Sequence, residues 1–381
     1  MNEKIPLFKI FWDENDIQAI ESVVRSGKYW ATGPQINKFE NKIKDYHDTK
    51  HCITFNSGGS ALFALMLAYK FKPGSEILVP SFTFIGTAYA PLYINAKPVF
   101  TDIEQETFGL DPADVKRKIT SKTTGIIPIH YGGMPCKIHE LKEIAQDNNL
   151  LLLEDAAESF GAKYKGKNVG TFGDAAIFSF CHNKIFTTGE GGCVITDDDR
   201  IYERLKLVQS YGRVLEGDYF LNPKNLDYIE LGHNFRLSSI SAALGISQLK
   251  KVDTIIQMRR KNAGYLNKSF KSFDNIVVPE PPTSNYFSVY QMYTIRILDG
   301  KLERDNLMNY LSENGISSRI YFDPVHKYSV FKNIVQEDIF LPNTEELTSQ
   351  VLTLPLYPHM SKNELDYIVN NVKTFLTTEN E

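Results

Sequence analysis

Cysteine is scarce in this 381-residue chain, and its few occurrences are not spaced as in metal-binding or disulfide-rich proteins. Cys52, Cys136, Cys181 and Cys193 form no CxxC pair and match no zinc-type spacing. Most of them lie in apolar runs, where a free thiol behaves as a small hydrophobic group. We therefore expect reduced, mostly buried thiols in a cytoplasmic protein, and no metal site.

Long apolar runs and an excess of one charge are also missing. The 42 basic and 46 acidic residues leave a net charge of −4, which gives no electrostatic reason to expect nucleic acid or an anionic membrane as a partner. No run reaches membrane-spanning length, and the N-terminus, MNEKIPLFKIFWDEND, lacks the apolar core of a signal peptide. We expect a soluble cytoplasmic protein that binds neither nucleic acid nor membrane.

Strand-like and helix-like segments alternate from Cys52 to about Thr196. One of them, Leu150 to Leu153, is a continuous apolar run that ends in Glu154 and Asp155, which is typical of a central parallel strand buried on both faces. Beyond residue 197 the chain turns helical and then mixed. We predict an α/β fold: a large domain over residues 1–250, with a mostly parallel central sheet between helices, and a smaller C-terminal α+β domain over residues 251–381.

Lys184 stands out because it lies between two strand-like runs, residues 175–180 and 193–196, and is followed by the glycine-rich segment 189–192. Burial is costly for an ammonium group, and a lysine that becomes neutral can form a Schiff base with a carbonyl. The alternative is a solvated lysine on a turn, as most lysines are. This stretch alone leaves both interpretations open.

The motif NSGGS, residues 56–60, joins a strand to an apolar helix. Glycines let a backbone approach an anion closely, and the helix that follows offers free N–H groups and its positive dipole end. The motif therefore predicts a phosphate site, although a plain turn between strand and helix is an equal alternative.

Three further side chains come at predicted strand ends, where ligands bind in parallel sheets. Asp155 could pair with a protonated ring nitrogen, whereas we interpret Glu154 as a partner in an ordinary salt bridge or helix cap. Phe84 could stack on a flat ring or be plain core. An anion site, a carboxylate, an aromatic ring and a lysine are together what pyridoxal phosphate needs.

These motifs resemble those of the DegT/DnrJ/EryC1/StrS sugar aminotransferases, which are fold-type I pyridoxal-phosphate enzymes. The resemblance covers nearly the whole chain and is closest to the perosamine-synthase type. It is carried by NSGGSAL (56–62), PSFTF (80–84), EDAAESFGA (154–162), FSFCHNKIFTTGEGG (178–192), GHNFRLSSISAALGISQL (232–249) and SRIYFDPVH (318–326).

The resemblance implies a role for each matching residue. Lys184 would carry the cofactor and move the proton, Asp155 would hold the ring nitrogen, and Phe84 would stack on the ring. Glu158 would lie near the ring hydroxyl. The phosphate would be bound by Ser57, Gly58, Gly59, Ser60 and Ser179, and by Asn234 of the neighbouring subunit in a homodimer with shared active sites. Weaker candidates for contacts to the nucleotide sugar are Trp30, Arg319 and His326.

The implied activity is transfer of an amino group from L-glutamate to a nucleotide-linked 4-keto-6-deoxyhexose. Alternatives are the same chemistry on a 3-keto-sugar nucleotide or a keto-inositol, or an inactive regulatory protein that binds the cofactor. The sequence departs from the commonest pattern of the family at Glu158, where Gln is more frequent, and at Gly59, where Thr is usual. Lysine at position 184 argues against the branch of the family that has histidine there and catalyses dehydration.

Overall fold

The computed structural model describes residues 4–214, 227–335 and 338–378. The strands in chain order are β1 (His51–Phe55), β2 (Glu76–Pro80), β3 (Lys97–Thr101), β4 (Thr123–Ile126), β5 (Leu151–Asp155), β6 (Lys163–Tyr164), β7 (Lys167–Asn168), β8 (Ala175–Ser179), β9 (Gly192–Thr196), β10 (Arg213–Val214), β11 (Asp227–Tyr228), β12 (Ile276–Val277), β13 (Tyr286–Phe287), β14 (Tyr293–Ile297) and β15 (Val351–Leu354). The helices are α1 (Glu14–Arg25), α2 (Pro34–His47), α3 (Gly58–Tyr69), α4 (Ile85–Leu92), α5 (Pro112–Lys118), α6 (Ile138–Asp147), α7 (Asp199–Gln209), α8 (Ser239–Leu249), α9 (Val252–Phe270), α10 (Lys301–Glu313), α11 (Ser329–Val335), α12 (Pro342–Gln350) and α13 (Lys362–Thr378).

A seven-stranded sheet forms the centre of the molecule, with strand order β1-β9-β8-β5-β4-β2-β3. The pairings from β8 through β5, β4 and β2 to β3 are all parallel. Strand β9 runs antiparallel to both of its neighbours, β1 and β8. The prediction of an α/β fold with a mostly parallel central sheet is confirmed, and β1 points in the same direction as β8.

Both faces of this sheet are covered, because alternate residues of the same strand enter different cores. In β5, Leu153 packs in the core formed with α3, α4 and α7, whereas Leu152 packs in a core with α5 and α6. In β8, Ile177 faces the first core and Phe178 faces a core shared with α2, α8 and α9. Continuous apolar runs in these strands therefore reflect burial on both sides.

A smaller sheet, β12-β14-β15, packs with α10 and α13 around Tyr293, Ile295 and Leu352. The N-terminal segment joins this unit, since Ile5 pairs with Ile316 and is buried in the same core. The domain boundary near residue 250 stays a prediction. Ile5, which that prediction assigns to the large domain, packs in the core of the smaller unit. In the part of the chain that is described, no helix combines the length and apolar character needed to cross a membrane.

Candidate active site

The predicted site residues gather at one edge of the large sheet, because β1, β2, β5 and β8 all point toward it. Residues 56–60 follow β1, Phe84 follows β2, Asp155 ends β5, and Lys184 lies in the loop after β8. Strand carboxyl ends of an open α/β sheet form the usual ligand crevice. Four motifs that are separate in the sequence therefore meet where a ligand would bind.

Lys184 lies on a turn, yet its side chain is only 14% exposed. The loop is closed at its base, where the N–H groups of Phe180 and Thr188 donate to the carbonyls of Gly191 and Phe180. The next two residues, Ile185 and Phe186, are buried in the core under the sheet. The alternative of a solvated turn lysine is therefore wrong.

The Lys184 ammonium is held by negative charge. Its Nζ lies 3.3 Å from Oε1 of the buried Glu158. Burial works against the charged form, but attraction to Glu158 first and to Asp155 as well outweighs it and raises the pKa of Lys184. In the free chain this lysine is therefore a charged group that must lose a proton before it can attack a carbonyl.

Asp155 is buried at the end of β5 and is held at both oxygens. Oδ2 accepts from the hydroxyl of Thr87 at 2.7 Å, and Oδ1 accepts from the N–H of Ala157 at 3.1 Å. Burial raises the pKa of Asp155, while these two bonds and the charge of Lys184 oppose the rise. A carboxylate fixed in a dry position is suited to pairing with a cation.

Glu158 and Tyr321 complete the surroundings of Lys184. Glu158 is buried, and its Oε2 accepts from the N–H of Gly132 at 3.0 Å. Burial and the charge of Glu158 raise the pKa of Tyr321, whereas Lys184 and Arg319 oppose that rise. Tyr321 belongs to the quoted SRIYFDPVH motif, but no feature of that motif singles it out as a site residue.

Glu154, the neighbour of Asp155, points to the other side of the sheet and is structural. It lies 2.9 Å from Nε2 of the buried His130, whose Nδ1 accepts from the N–H of Cys136. The N–H groups of Gly170, Phe172 and Gly173 also donate to Glu154, each at 2.7 Å. Burial disfavours the charge, but these bonds outweigh it and lower the pKa of Glu154. Our interpretation of Glu154 as a bonded structural carboxylate is confirmed.

The NSGGS motif forms a turn and the first turn of α3. Ser57 caps the helix, with its Oγ accepting from the N–H of Ser60 at 3.0 Å. A Cβ at Gly58 would lie 2.8 Å from Cβ of Ser179, and a Cβ at Gly192 would lie 2.6 Å from the nitrogen of Gly58. Because glycine keeps this place open, two serine hydroxyls and the free N–H groups of the first helical turn can face one anion.

Phe84 immediately precedes α4, and its ring is 62% exposed. The alternative that Phe84 is plain core is therefore wrong. The ring centroid lies 6.4 Å from that of Phe322, and the exposed part of Phe84 is available to stack on a flat ligand.

The remaining predicted site residues differ in their exposure to solvent. Trp30, Arg319 and Asn234 are exposed, and Asn234 is close to the cradle because its carbonyl accepts from the Asn56 side chain at 3.4 Å. His326 is buried: its Nδ1 lies 2.6 Å from the Ser81 hydroxyl and its Nε2 lies 3.5 Å from Glu345. His326 thus joins the C-terminal part to the end of β2 and offers no open face to a sugar.

The cysteines are free, and Cys52, Cys136 and Cys193 are buried, as predicted. Cys181 is half-buried beside the lysine loop. Its thiol lies within 4.8 Å of ligand atoms of His182 and Glu190, both of which are exposed. We assign no metal to this group.

These residues fit pyridoxal phosphate on the geometry of the structure itself. The glycine-bounded turn accommodates a phosphate, the exposed Phe84 ring offers a stacking face, and the buried Asp155 offers a carboxylate for a ring nitrogen. Lys184 supplies the only amine that the described residues place among these groups. Each requirement of the cofactor is met by a different motif at one sheet edge.

Comparisons with known proteins agree with this fit. Residues 11–373 match the model of the DegT/DnrJ/EryC1/StrS aminotransferase family. The chain is 33% identical to GDP-perosamine synthase of Escherichia coli O157:H7 over 371 residues, which is 97% of this chain and 98% of that protein. Among solved structures, Helicobacter pylori PseC, an aminotransferase involved in the biosynthesis of pseudoaminic acid, matches with a TM-score of 0.93 and 26% identity over 99% of this chain and 100% of that one. A Streptococcus pneumoniae structure in its PLP form matches with a TM-score of 0.91 and 25% identity over 98% of each chain.

Proposed function

This chain belongs to the DegT/DnrJ/EryC1/StrS aminotransferase family, and from that membership we propose that it transfers the amino group of L-glutamate to a nucleotide-linked 4-keto-6-deoxyhexose. It is a pyridoxal-phosphate-dependent sugar aminotransferase. The observation that carries transamination is Lys184, whose side chain is mostly removed from solvent and interacts with Glu158 and Asp155, beside a glycine-bounded anion site. The similarity to GDP-perosamine synthase favours the 4-keto sugar.

Several groups of the protein would hold the cofactor. The cofactor supplies a carbonyl that condenses with amines and a ring that accepts electrons. Ser57, Ser60 and Ser179 would bind its phosphate through their hydroxyls, aided by the N–H groups at Gly58 and Gly59. Phe84 would cover one face of the ring, and Glu158 would lie near the ring hydroxyl.

Asp155 sets the charge of the site. Its buried carboxylate would hold the ring nitrogen of the bound cofactor and would favour the protonated form, because a buried anion favours a cation beside it. The Nζ of Lys184 would hold the cofactor, and once glutamate has displaced it the free amine would move the proton of the donor carbon, acting first as a base and then as an acid.

For the keto-sugar to receive the amino group, Lys184 would carry out the same proton transfers in reverse order. Trp30 and Arg319 are exposed at the surface of the chain, and we propose that they contact the nucleotide part of the sugar. Arginine suits a phosphate because its planar fork donates two parallel hydrogen bonds. His326 is left out of this proposal because it is buried and bonded to Ser81.

We also propose a homodimer in which Asn234 reaches the phosphate of the partner subunit's cofactor. The segment before Asn234 exposes Tyr228, Ile229 and Leu231, the last of them 92% exposed. Contiguous exposed apolar side chains favour burial by another chain. Sedimentation analysis would test this, since a monomer that is fully active would contradict the shared site.

An absorbance spectrum of the purified protein, recorded before and after adding L-glutamate, tests the donor. We expect a visible band that glutamate bleaches. A band that resists glutamate would contradict glutamate as donor while keeping the cofactor. The aminated protein should then be challenged with a 4-keto-sugar nucleotide, a 3-keto-sugar nucleotide and a keto-inositol. The acceptor that restores the band identifies the substrate class, and restoration only by one of the last two would overturn the 4-keto proposal.

A further inference from the structure

Asp155 is bonded to a chain of two buried hydroxyl groups that no motif predicted. The Thr87 hydroxyl donates to Asp155 Oδ2 at 2.7 Å, and the Thr83 hydroxyl lies 2.7 Å from that of Thr87. Both threonines are about 1% exposed. Among the described side chains, Thr87 is the one that donates a hydrogen bond to Asp155.

The direction of the two hydroxyl hydrogen bonds is set by Asp155, the group that accepts the last of them. An ionised carboxylate can only accept, so the proton of the Thr87 hydroxyl points to Asp155. The Thr87 oxygen then has its lone pairs left for Thr83, and Thr83 is the donor to Thr87. Hydrogen bonds in such a sequence strengthen one another in a low dielectric.

The position of Thr87 links two faces of the cofactor site. Thr87 lies in the first turn of α4, directly after Phe84, and its N–H donates to the Phe84 carbonyl at 3.1 Å. The same helical turn therefore fixes the residue proposed to cover the ring and the hydroxyl that holds the ring's carboxylate partner. Thr83 extends this bonding into the strand-to-helix turn that carries Phe84.

We propose that Thr87, supported by Thr83, is a positioning residue that orients the Asp155 carboxylate and keeps it ionised, so that the ring nitrogen facing it carries the proton. This inference rests on the role proposed for Asp155. Without the Thr87 hydroxyl, one oxygen of a buried carboxylate would have no side-chain donor, and the carboxylate would bind a proton more tightly. The shared proton would then move from the ring nitrogen toward Asp155.

Burial already raises the pKa of Asp155, and the bond from Thr87 is the largest of the contributions that oppose the rise. The position of the proton shared between Asp155 and the ring nitrogen should therefore depend most strongly on the Thr87 hydroxyl. Loss of positive charge on the ring would slow the removal of the proton from the donor carbon without weakening the binding of glutamate. We expect kcat to fall about 10-fold, with KM for glutamate little changed, when the hydroxyl is removed.

The test uses holoenzyme loaded with pyridoxal phosphate that carries ¹⁵N at the ring nitrogen. The ¹⁵N chemical shift reports protonation of that atom directly, and kcat is measured against pH in parallel. We expect Thr87→Val to move the shift toward that of a neutral pyridine and Thr87→Ser to keep the wild-type value. Thr83→Val, which removes only the second hydroxyl, should move it less, with a fall in kcat of about 2-fold.

A matched control distinguishes an effect on protonation of the ring nitrogen from a general loss of stability. Thr344 is a buried threonine whose hydroxyl donates to the buried Asp102 at 2.7 Å, the same pairing at another strand end. Thr344→Val should cost a similar amount of stability yet keep the wild-type ¹⁵N shift. If Thr87→Val does not fold, Thr87→Cys keeps a weak donor and should give an intermediate shift.

Asp155→Asn distinguishes the two possible failures. If Asp155→Asn changes the ¹⁵N shift and Thr87→Val leaves both the shift and the pH profile unchanged, the role of Thr87 is refuted and that of Asp155 stands. If Asp155→Asn also leaves the shift unchanged, Asp155 does not face the ring nitrogen, and the proposed function of that residue fails.

Discussion

The two sides of the candidate site are built differently. On the cofactor side, Asp155 and Glu158 are buried, Lys184 is mostly removed from solvent, and each is bonded to fixed neighbours. On the proposed sugar side, Trp30 and Arg319 are exposed, and the Trp30 side chain is 51% exposed. Preorganised charges act strongly where water is excluded, whereas exposed groups gain their contacts when a ligand arrives. We therefore expect the buried half to determine the class of reaction and the open half to determine the choice of sugar.

The largest effect should come from removing Lys184, the one group on the cofactor side that no neighbour can replace. We expect Lys184→Ala to lower kcat about 10⁴-fold, since the variant loses both the cofactor attachment and the proton carrier. The measurement is single-turnover transamination, with folding checked by circular dichroism. Lys206→Ala, which removes an exposed lysine bonded to Glu203, serves as the control and should remain active. A Lys184→Ala protein that turns over at the wild-type rate would contradict the buried half of the comparison.

The next largest effect is expected at Asp155, which can be replaced by asparagine, a side chain of nearly the same size and shape. Asp155→Asn keeps an oxygen that can accept from Thr87 or Ala157 but removes the negative charge. We expect kcat to fall about 10²-fold, because a buried anion that stabilises developing charge is lost. The control is Asp114→Asn, which alters a buried aspartate of α5 that is paired with Lys118 of the same helix. Equal losses in the two variants would mean that burial of a carboxylate, rather than its place beside the cofactor, decides the rate.

A smaller effect, of opposite sign, is expected at Glu158. Burial opposes the charge on Lys184, and Glu158 is the strongest of the groups that raise the pKa of Lys184 despite it. Glu158→Gln keeps an oxygen for the N–H of Gly132 but removes the charge, so the pKa of Lys184 should fall. More of the amine is then neutral at pH 7 to 8, and the free chain should capture pyridoxal phosphate faster, by about 10-fold.

Stopped-flow absorbance of cofactor binding against pH checks this prediction at Glu158. The inflection of the capture rate should move to lower pH in Glu158→Gln and stay in place in Glu190→Gln, which changes an exposed carboxylate of the same loop. An unchanged inflection in Glu158→Gln would show that burial and Asp155, without Glu158, set the charge of the lysine.

The sequence predicted the buried half well, for physical reasons that particular residues illustrate. The apolar run 150–153 indicated a central strand, and the two carboxylates that follow it were therefore expected at the end of that strand. Because parallel strands share one direction, the motifs that follow the other strands were expected at the same edge of the sheet. Lys184 remained ambiguous in the sequence alone. The low exposure of Lys184 depends on Ile185 and Phe186, which pack in a core with residues that are distant in the sequence.

The residues that the sequence did not reveal are those held by tertiary contacts. Thr87 lies 68 positions from Asp155, and nothing in their spacing indicates that a helix after β2 would place a hydroxyl beside a carboxylate that ends β5. His326 gives the converse case, because its motif favoured a ligand contact while its side chain is bonded to Ser81, 245 positions away. Spacing predicts which edge of a sheet a residue reaches, but the partner of its side chain is set by packing.

The smallest effect is expected on the open side, and it tests the comparison most selectively. Arg319→Ala should raise KM for the sugar nucleotide about 5-fold, which corresponds to about 1 kcal/mol, while leaving the half-reaction with glutamate unchanged. Trp30→Ala should act in the same way, and Trp12→Ala, which removes another exposed tryptophan, should change neither constant. Because exposed side chains lose few contacts when truncated, neither variant should lower the melting temperature measurably. If Arg319→Ala instead slowed the half-reaction with glutamate, the open side would be part of the catalytic machinery, and the division between a buried chemical half and an exposed recognition half would not hold.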